Sequence, residues 1–152
     1  MMTISLRNVA ALSIVTAIVC VARAQTSVAP SATGELSQAK VYAVDQATVR
    51  KSANGSESGS VLRGVLTTGE TVAVHESVQP VGAAPVALHP IQHSELIVVR
   101  EGEVMFDHDG ASEKAGPGDV IYVTLGTVHR VRNVGSVPAK YVVVAIGGDT
   151  KK

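Results

Sequence analysis

From Ser60 onward the chain is a series of short β-branched runs separated by turn chemistry, and no stretch of ten residues carries a helical apolar stripe. Thr68-Gly69, Glu101-Gly102, Asp109-Gly110, Gly116-Pro117-Gly118-Asp119 and Gly135-Ser136 mark the turns. Strands are predicted near 61–66, 71–78, 86–89, 95–100, 103–108, 120–124, 128–134 and 140–146. Many short antiparallel strands without helices leave a sandwich or a barrel, and a chain this small must hide its edges by closing or by pairing with a second copy. The expectation is an all-β, single-domain jelly-roll β-barrel. Aromatic residues make up 3% of the chain, so Val, Leu and Ile fill the core and few rings remain to stack a sugar or a base. Lectin-like and single-strand nucleic-acid functions are disfavoured.

The N-terminus reads as a secretory signal peptide over residues 1–24. Arg7 precedes an apolar run from Val9 to Cys20, and Ala22-Arg23-Ala24 supplies an A-x-A cleavage site. The run is well short of the ~20 apolar residues a membrane-spanning helix needs. Val19 stands where lipoprotein processing wants a small residue, and no twin-arginine pair precedes the run. A secreted or periplasmic protein with no stable membrane anchor is expected. Cys20 is the only cysteine, so the mature chain carries no disulfide and rests on core packing.

The chain has 13 basic and 13 acidic residues. Arg7 and Arg23 leave with the signal, which makes the remainder slightly acidic and gives nucleic acid no basic patch to bind. Residues 25–40 form a Ser-, Ala- and Pro-rich leader with too little apolar content to offset its ordering entropy, and it is expected to be flexible. Residues 41–152 form the barrel domain. Within it, Lys51 to Ser60 reads as a loop or an exposed hairpin turn.

Gly118, Thr124, Gly126, His129 and Asn133 follow the spacing G-x5-P-x-G-x2-H-x3-N. This segment resembles the second motif of the cupin superfamily, with Thr124 in place of the usual proline. His89, Glu95 and Gly102 fit the first cupin motif, G-x5-H-x-H-x3,4-E-x6-G, while Gly82 lies one residue too far upstream and Ile91 occupies the second histidine position. The resemblance covers residues 60–146 and is closest to small secreted bacterial cupins. It implies that Gly118 and Gly126 make tight turns, that His129 points into the barrel, and that Asn133 fixes the chain beyond it.

Alternate residues of an extended strand share a face. If the chain runs straight from His89, then His89, Ile91, His93 and Glu95 face one way and His93 replaces the missing ligand. The expected metal set is therefore His89, His93, Glu95 and His129, for a divalent ion such as Fe, Mn, Zn or Ni. Two histidines and a carboxylate suit Fe(II) with open coordination positions, and three protein ligands also suit catalytic zinc.

Three functional classes follow: a small metalloenzyme of dioxygenase or isomerase type, a metal-free module binding a small, largely apolar ligand in the barrel, and a structural protein. A homodimer, compatible with all three, is expected to cover an edge near residues 40–66 or 140–146. His75 and His108 lie outside the motif spacing and read as surface residues. Tyr122 suits either the cavity or the core. Arg100, Arg130 and Arg132 read as a solvated face.

Overall fold

A computed structural model of the protein describes residues 34–148. The expected signal peptide and the leader up to residue 33 lie outside the described residues. The strands are β1 (Gly34–Leu36), β2 (Thr48–Lys51), β3 (Glu57–Leu66), β4 (Thr71–Gln79), β5 (His89–Pro90) and β6 (Ser94–Glu101). They continue as β7 (Val104–His108), β8 (Ala111–Ala115), β9 (Val120–Val123), β10 (Val128–Asn133) and β11 (Ala139–Ile146). The described helical structure is one short 3-10 turn, Val44–Gln46. Among the described residues no helix is long and apolar enough to cross a membrane.

A seven-stranded sheet runs β1-β3-β4-β11-β6-β9, with β2 sharing the outer edge of β3, and a four-stranded sheet runs β5-β10-β7-β8. This is the expected all-β jelly roll. The core lies between the sheets, where Ile97, Val99, Val104 and Val123 are fully buried. Each such side chain contributes about 1.5–3 kcal/mol through burial. On β11 the alternation is regular: Ala139, Tyr141, Val143 and Ala145 are buried and the residues between them are not. Facing them from β4 are Gln79, Ser77, His75 and Ala73.

Turn chemistry fixes the register. Gly102, between β6 and β7, has φ +73°, and a Cβ there would come within 2.8 Å of Pro138 O, so the motif's closing position admits only glycine. Asp109 and Gly110 both take positive φ, which closes the β7–β8 hairpin tightly.

Several expectations are corrected. The leader was expected to be flexible through residue 40, but Gly34–Leu36 pairs in parallel with Gly64–Leu66. Gly64 makes room for it: a Cβ there would lie 2.6 Å from Gly34 O and 2.7 Å from Leu36 Cγ. Lys51 to Ser60 is a hairpin whose turn spans residues 52–56, and β3 already begins at Glu57. The strand expected at 86–89 is displaced to His89–Pro90. β2 and β8 were not expected; β8 is largely exposed and polar, and it is imposed by its turn and its partner β7. Residues 140–146 are not an edge, because β11 lies between β4 and β6.

Candidate functional site

The site lies where the two sheets come together at β5, β6 and β10. His129 on β10 stands directly opposite His89 on β5, so both imidazoles project from one face. Their ring centres are 5.0 Å apart. His129 is buried and His89 lies at the exposed mouth. The chain does not run straight from His89 to Glu95: β5 ends at Pro90, and β6 joins the other sheet at Ser94. The shared-face expectation therefore fails for Ile91, which is buried in the hydrophobic core beside the site. Its carbonyl accepts the Gly126 N–H at 3.0 Å, tying the second-motif loop to the first.

Glu95 is the hub. His93 Nε2 donates to Glu95 Oε1 at 2.8 Å, and His129 Nε2 faces Glu95 Oε2 at 3.7 Å. His93, expected as a replacement ligand, thus spends its Nε2 proton on orienting the carboxylate. His89 Nδ1 lies 3.2 Å from Ala87 O and His129 Nδ1 lies 3.4 Å from Thr127 O. A carbonyl only accepts, so each Nδ1 donates, and a neutral ring so oriented keeps its Nε2 lone pair for a metal.

Burial holds the His129 imidazole below its ordinary pKa, against the opposing pull of the Thr127 carbonyl and Glu95. His129 is consequently neutral at pH 7, the form a metal needs. Ligands of one tetrahedral ion, each about 2.0–2.1 Å from it, stand about 3.4 Å apart. The 3.7 Å between His129 Nε2 and Glu95 Oε2 is close to that spacing. In donor chemistry His89, Glu95 and His129 fit a divalent ion. Among the described residues, however, no three His, Cys, Asp or Glu side chains already converge as a metal-holding group.

Behind these residues is a cavity of about 260 Å³. His89, Glu95 and His129 line one part of it, and His75, Ser77 and Tyr141 another. His75, expected at the surface, points into the barrel because it pairs with inward-facing Val143. Burial lowers its pKa, with Glu95 acting in the opposite direction. Sequence reasoning missed it because β4 places valine on its outer positions and polar residues on its inner ones. Tyr141 OH accepts from Gln79 Nε2 at 2.8 Å, and burial pushes its pKa up to about 12. It remains a neutral phenol at physiological pH.

Asn133 locks this wall. Its Nδ2 donates to Gln79 O and Val137 O, its Oδ1 accepts from Gly135 N, and its own N–H donates to Gln79 Oε1. Thr124 O accepts the Thr127 N–H at 3.1 Å, so threonine completes the turn where the motif has proline.

A wider groove of about 540 Å³ runs past His108, Glu113 and Tyr122. It holds none of the motif histidines, and we place the chemistry in the smaller cavity, where the nitrogen and oxygen donors meet. Tyr122 is 63% exposed and lines this outer groove rather than the core. His108 is held by Glu113 at 2.7 Å, which raises its pKa. Arg130 and Arg132 both bond Asp107 at 2.8 Å, and Arg100 bonds Glu76 at 2.8 Å, so the three arginines sit in ion pairs on the outer faces. The two arginines and Ser112 hold Asp107 well below the usual carboxylate range.

A family model described as a cupin domain matches residues 74–145. An uncharacterized protein of Methanocaldococcus jannaschii is 27% identical over 89 residues, spanning 56% of this chain and 71% of that protein. Among solved structures, a predicted oxalate decarboxylase from Thermotoga maritima superposes with TM-score 0.58 at 20% identity, over 70% of this chain and 98% of that one. An RmlC-like cupin from Shewanella frigidimarina gives TM-score 0.57 at 16% identity, over 74% and 95% of the two chains. The matched segment runs from β4 to β11, the strands that carry His75, Glu95 and His129, and over residues 74–145 the chain carries a cupin domain.

Proposed function

We propose that this protein binds a small molecule in the cavity between its sheets, with a divalent metal ion held by His89, Glu95 and His129. One observation carries the reading: His89, Glu95 and His129 line one part of the same cavity, with the two imidazole centres 5.0 Å apart and His129 Nε2 3.7 Å from Glu95 Oε2. His93 holds Glu95 in place from behind, the arrangement that orients metal-binding carboxylates.

A bound ion would polarise a ligand oxygen or provide open positions for substrate. The chain's own residues bind and orient the ligand. Ile97, Val131 and Val143 shield the cavity from water, Tyr141 stays protonated, and His75 contacts the ligand from the strand on the far side of β11. In this reading the protein works outside the cytoplasm, after removal of residues 1–24, and its partner is a small molecule rather than nucleic acid.

A second reading, a metal-free ligand-binding barrel, is favoured by one observation: Ile91 fills the second motif position and is buried in the core. Metal analysis of protein expressed from the full chain and purified without chelators or a histidine tag separates the two. The metal reading expects one bound Fe, Mn, Zn or Ni ion per chain and its loss in His129→Ala. A wild type that stays metal-free after reconstitution with each ion leaves the metal-free barrel.

A further inference from the structure

The cavity between the sheets has two chemically different halves. His89, Glu95 and His129 line one part, and hydroxyl groups wall the other. Ser58, Ser77 and Tyr141 stand each directly opposite the next across β3, β4 and β11, and Val99 continues the row on β6. Tyr141 and Val99 are buried, so the row faces inward. Strand positions on the packed face of an antiparallel sheet are normally apolar, and serines there weaken the core unless their hydroxyls find partners.

The turn between β2 and β3 adds Ser56 to the same wall. Its N–H donates to Asn54 Oδ1 at 3.1 Å, and Asn54 Nδ2 donates to Ala84 O at 2.8 Å, which pins the turn to the segment between β4 and β5. Val86 of that segment also lines the cavity. Ser56 Oγ is buried, and among the described residues it has no hydrogen-bond partner. Such a hydroxyl is destabilising, so the turn holds Ser56 in place against the stability of the fold.

Charge and size narrow what this wall can receive. Among the described residues no Lys or Arg lines the cavity, and Glu57, half-exposed at its edge, pairs with Lys51 at 3.2 Å. A phosphate or carboxylate at the hydroxyl end would lose water without gaining a counter-charge. A hydrocarbon would leave the serines unpaired. The volume, about 260 Å³, is below that of sites for drug-sized molecules. We propose that the serine half of the cavity binds the uncharged, polyhydroxylated end of a small ligand, with Ser56 and Ser58 setting its specificity. Each alcohol O–H of such a ligand donates and accepts, as a serine hydroxyl does, so the two sets satisfy one another.

This assignment rests on the reading of the cavity as the ligand site and is independent of the metal. Titration of the 15N-labelled protein with meso-erythritol and with butan-1-ol, which share a four-carbon chain, tests it through the amide shifts of Ser58, Ser77 and Val143. Erythritol is expected to bind at least about 10-fold more tightly than butan-1-ol, and Ser56→Ala/Ser58→Ala to raise the erythritol Kd about 10-fold. Ser56→Ala alone should raise the denaturant midpoint, because it deletes an orphaned hydroxyl, whereas loss of a serine kept for the fold would lower it. Butan-1-ol binding as tightly as erythritol at these amides overturns the proposal and leaves the cavity as the ligand site. A folded double variant of unchanged erythritol affinity, or a Ser56→Ala midpoint that fails to rise, also overturns it. Amides that respond to neither probe overturn both the proposal and the reading of the cavity.

Discussion

His93 donates its Nε2 proton to Glu95 at 2.8 Å, while His129 Nε2 stands 3.7 Å from the other oxygen of the same carboxylate. The two histidines therefore act differently on Glu95, and their variants should differ in kind. His129→Ala removes a donor and is expected to abolish stoichiometric metal binding. His93→Ala removes only the group that orients Glu95 and is expected to weaken metal affinity by about 10–100-fold. Isothermal titration with Zn(II) or Ni(II) distinguishes them; equal losses in both would make His93 a ligand.

Replacing Ile91 with histidine restores the motif but not the site. Ile91 is 5% exposed and packs in the core cluster, so an imidazole there is expected to be buried without an assured partner. Ile91→His should cost about 2–3 kcal/mol, measurable as a lower denaturant midpoint, with no gain in metal affinity. A tighter-binding variant of undiminished stability would show that the side chain swings into the cavity.

The contrast between His129 and His75 shows what the sequence could reveal. His129 was legible because the two glycines before it and Asn133 after it form a spaced motif, and each does a local job that constrains its position. The jelly roll was legible for a similar reason: turn residues and β-branched runs are local signals. His75 has no such motif. Its direction is set by the register of β4 against Val143 of β11, and the outward valines of β4 make the alternation read the wrong way round. Ile91 misled for a related reason. Strict alternation holds only within one strand, and the chain changes sheets between Pro90 and Ser94. β8 was missed because Ala111–Ala115 has no apolar alternation and owes its conformation to a turn and a partner strand.

Stability should depend on pH through the inward histidines. His75 and His129 both have folded pKa values below the 6.5 of the free group, chiefly through burial. Below that value the unfolded chain binds protons that the folded chain resists, so their contribution is full above about pH 6.5 and is lost as the pH falls. His108 runs the other way, since Glu113 raises its pKa and its contribution fades as the pH rises. Denaturant unfolding of metal-free protein between about pH 7.5 and 5 is expected to show stability falling toward acid. Doubly substituted His75→Gln/His129→Gln protein should flatten that slope, and an unchanged slope would place its origin elsewhere.

Asn133 provides a test of how the cavity wall is held. Its side chain bridges three backbone groups, Gln79 O, Val137 O and Gly135 N, and so ties the end of β10 to β4 and to the turn before β11. Gln79 in turn donates to Tyr141 OH and Val131 O, both bordering the cavity. Asn133→Ala removes three hydrogen bonds while deleting little apolar surface, so a loss of about 2–3 kcal/mol is expected in denaturant unfolding. Because Gln79 loses only one of its partners, Tyr141 should keep its raised pKa, and ultraviolet titration of the phenol should still show a tyrosine ionising near 12. If that titration instead falls to the ordinary value near 10 while the barrel remains folded, then Asn133, through Gln79, is what keeps the phenol buried against the cavity.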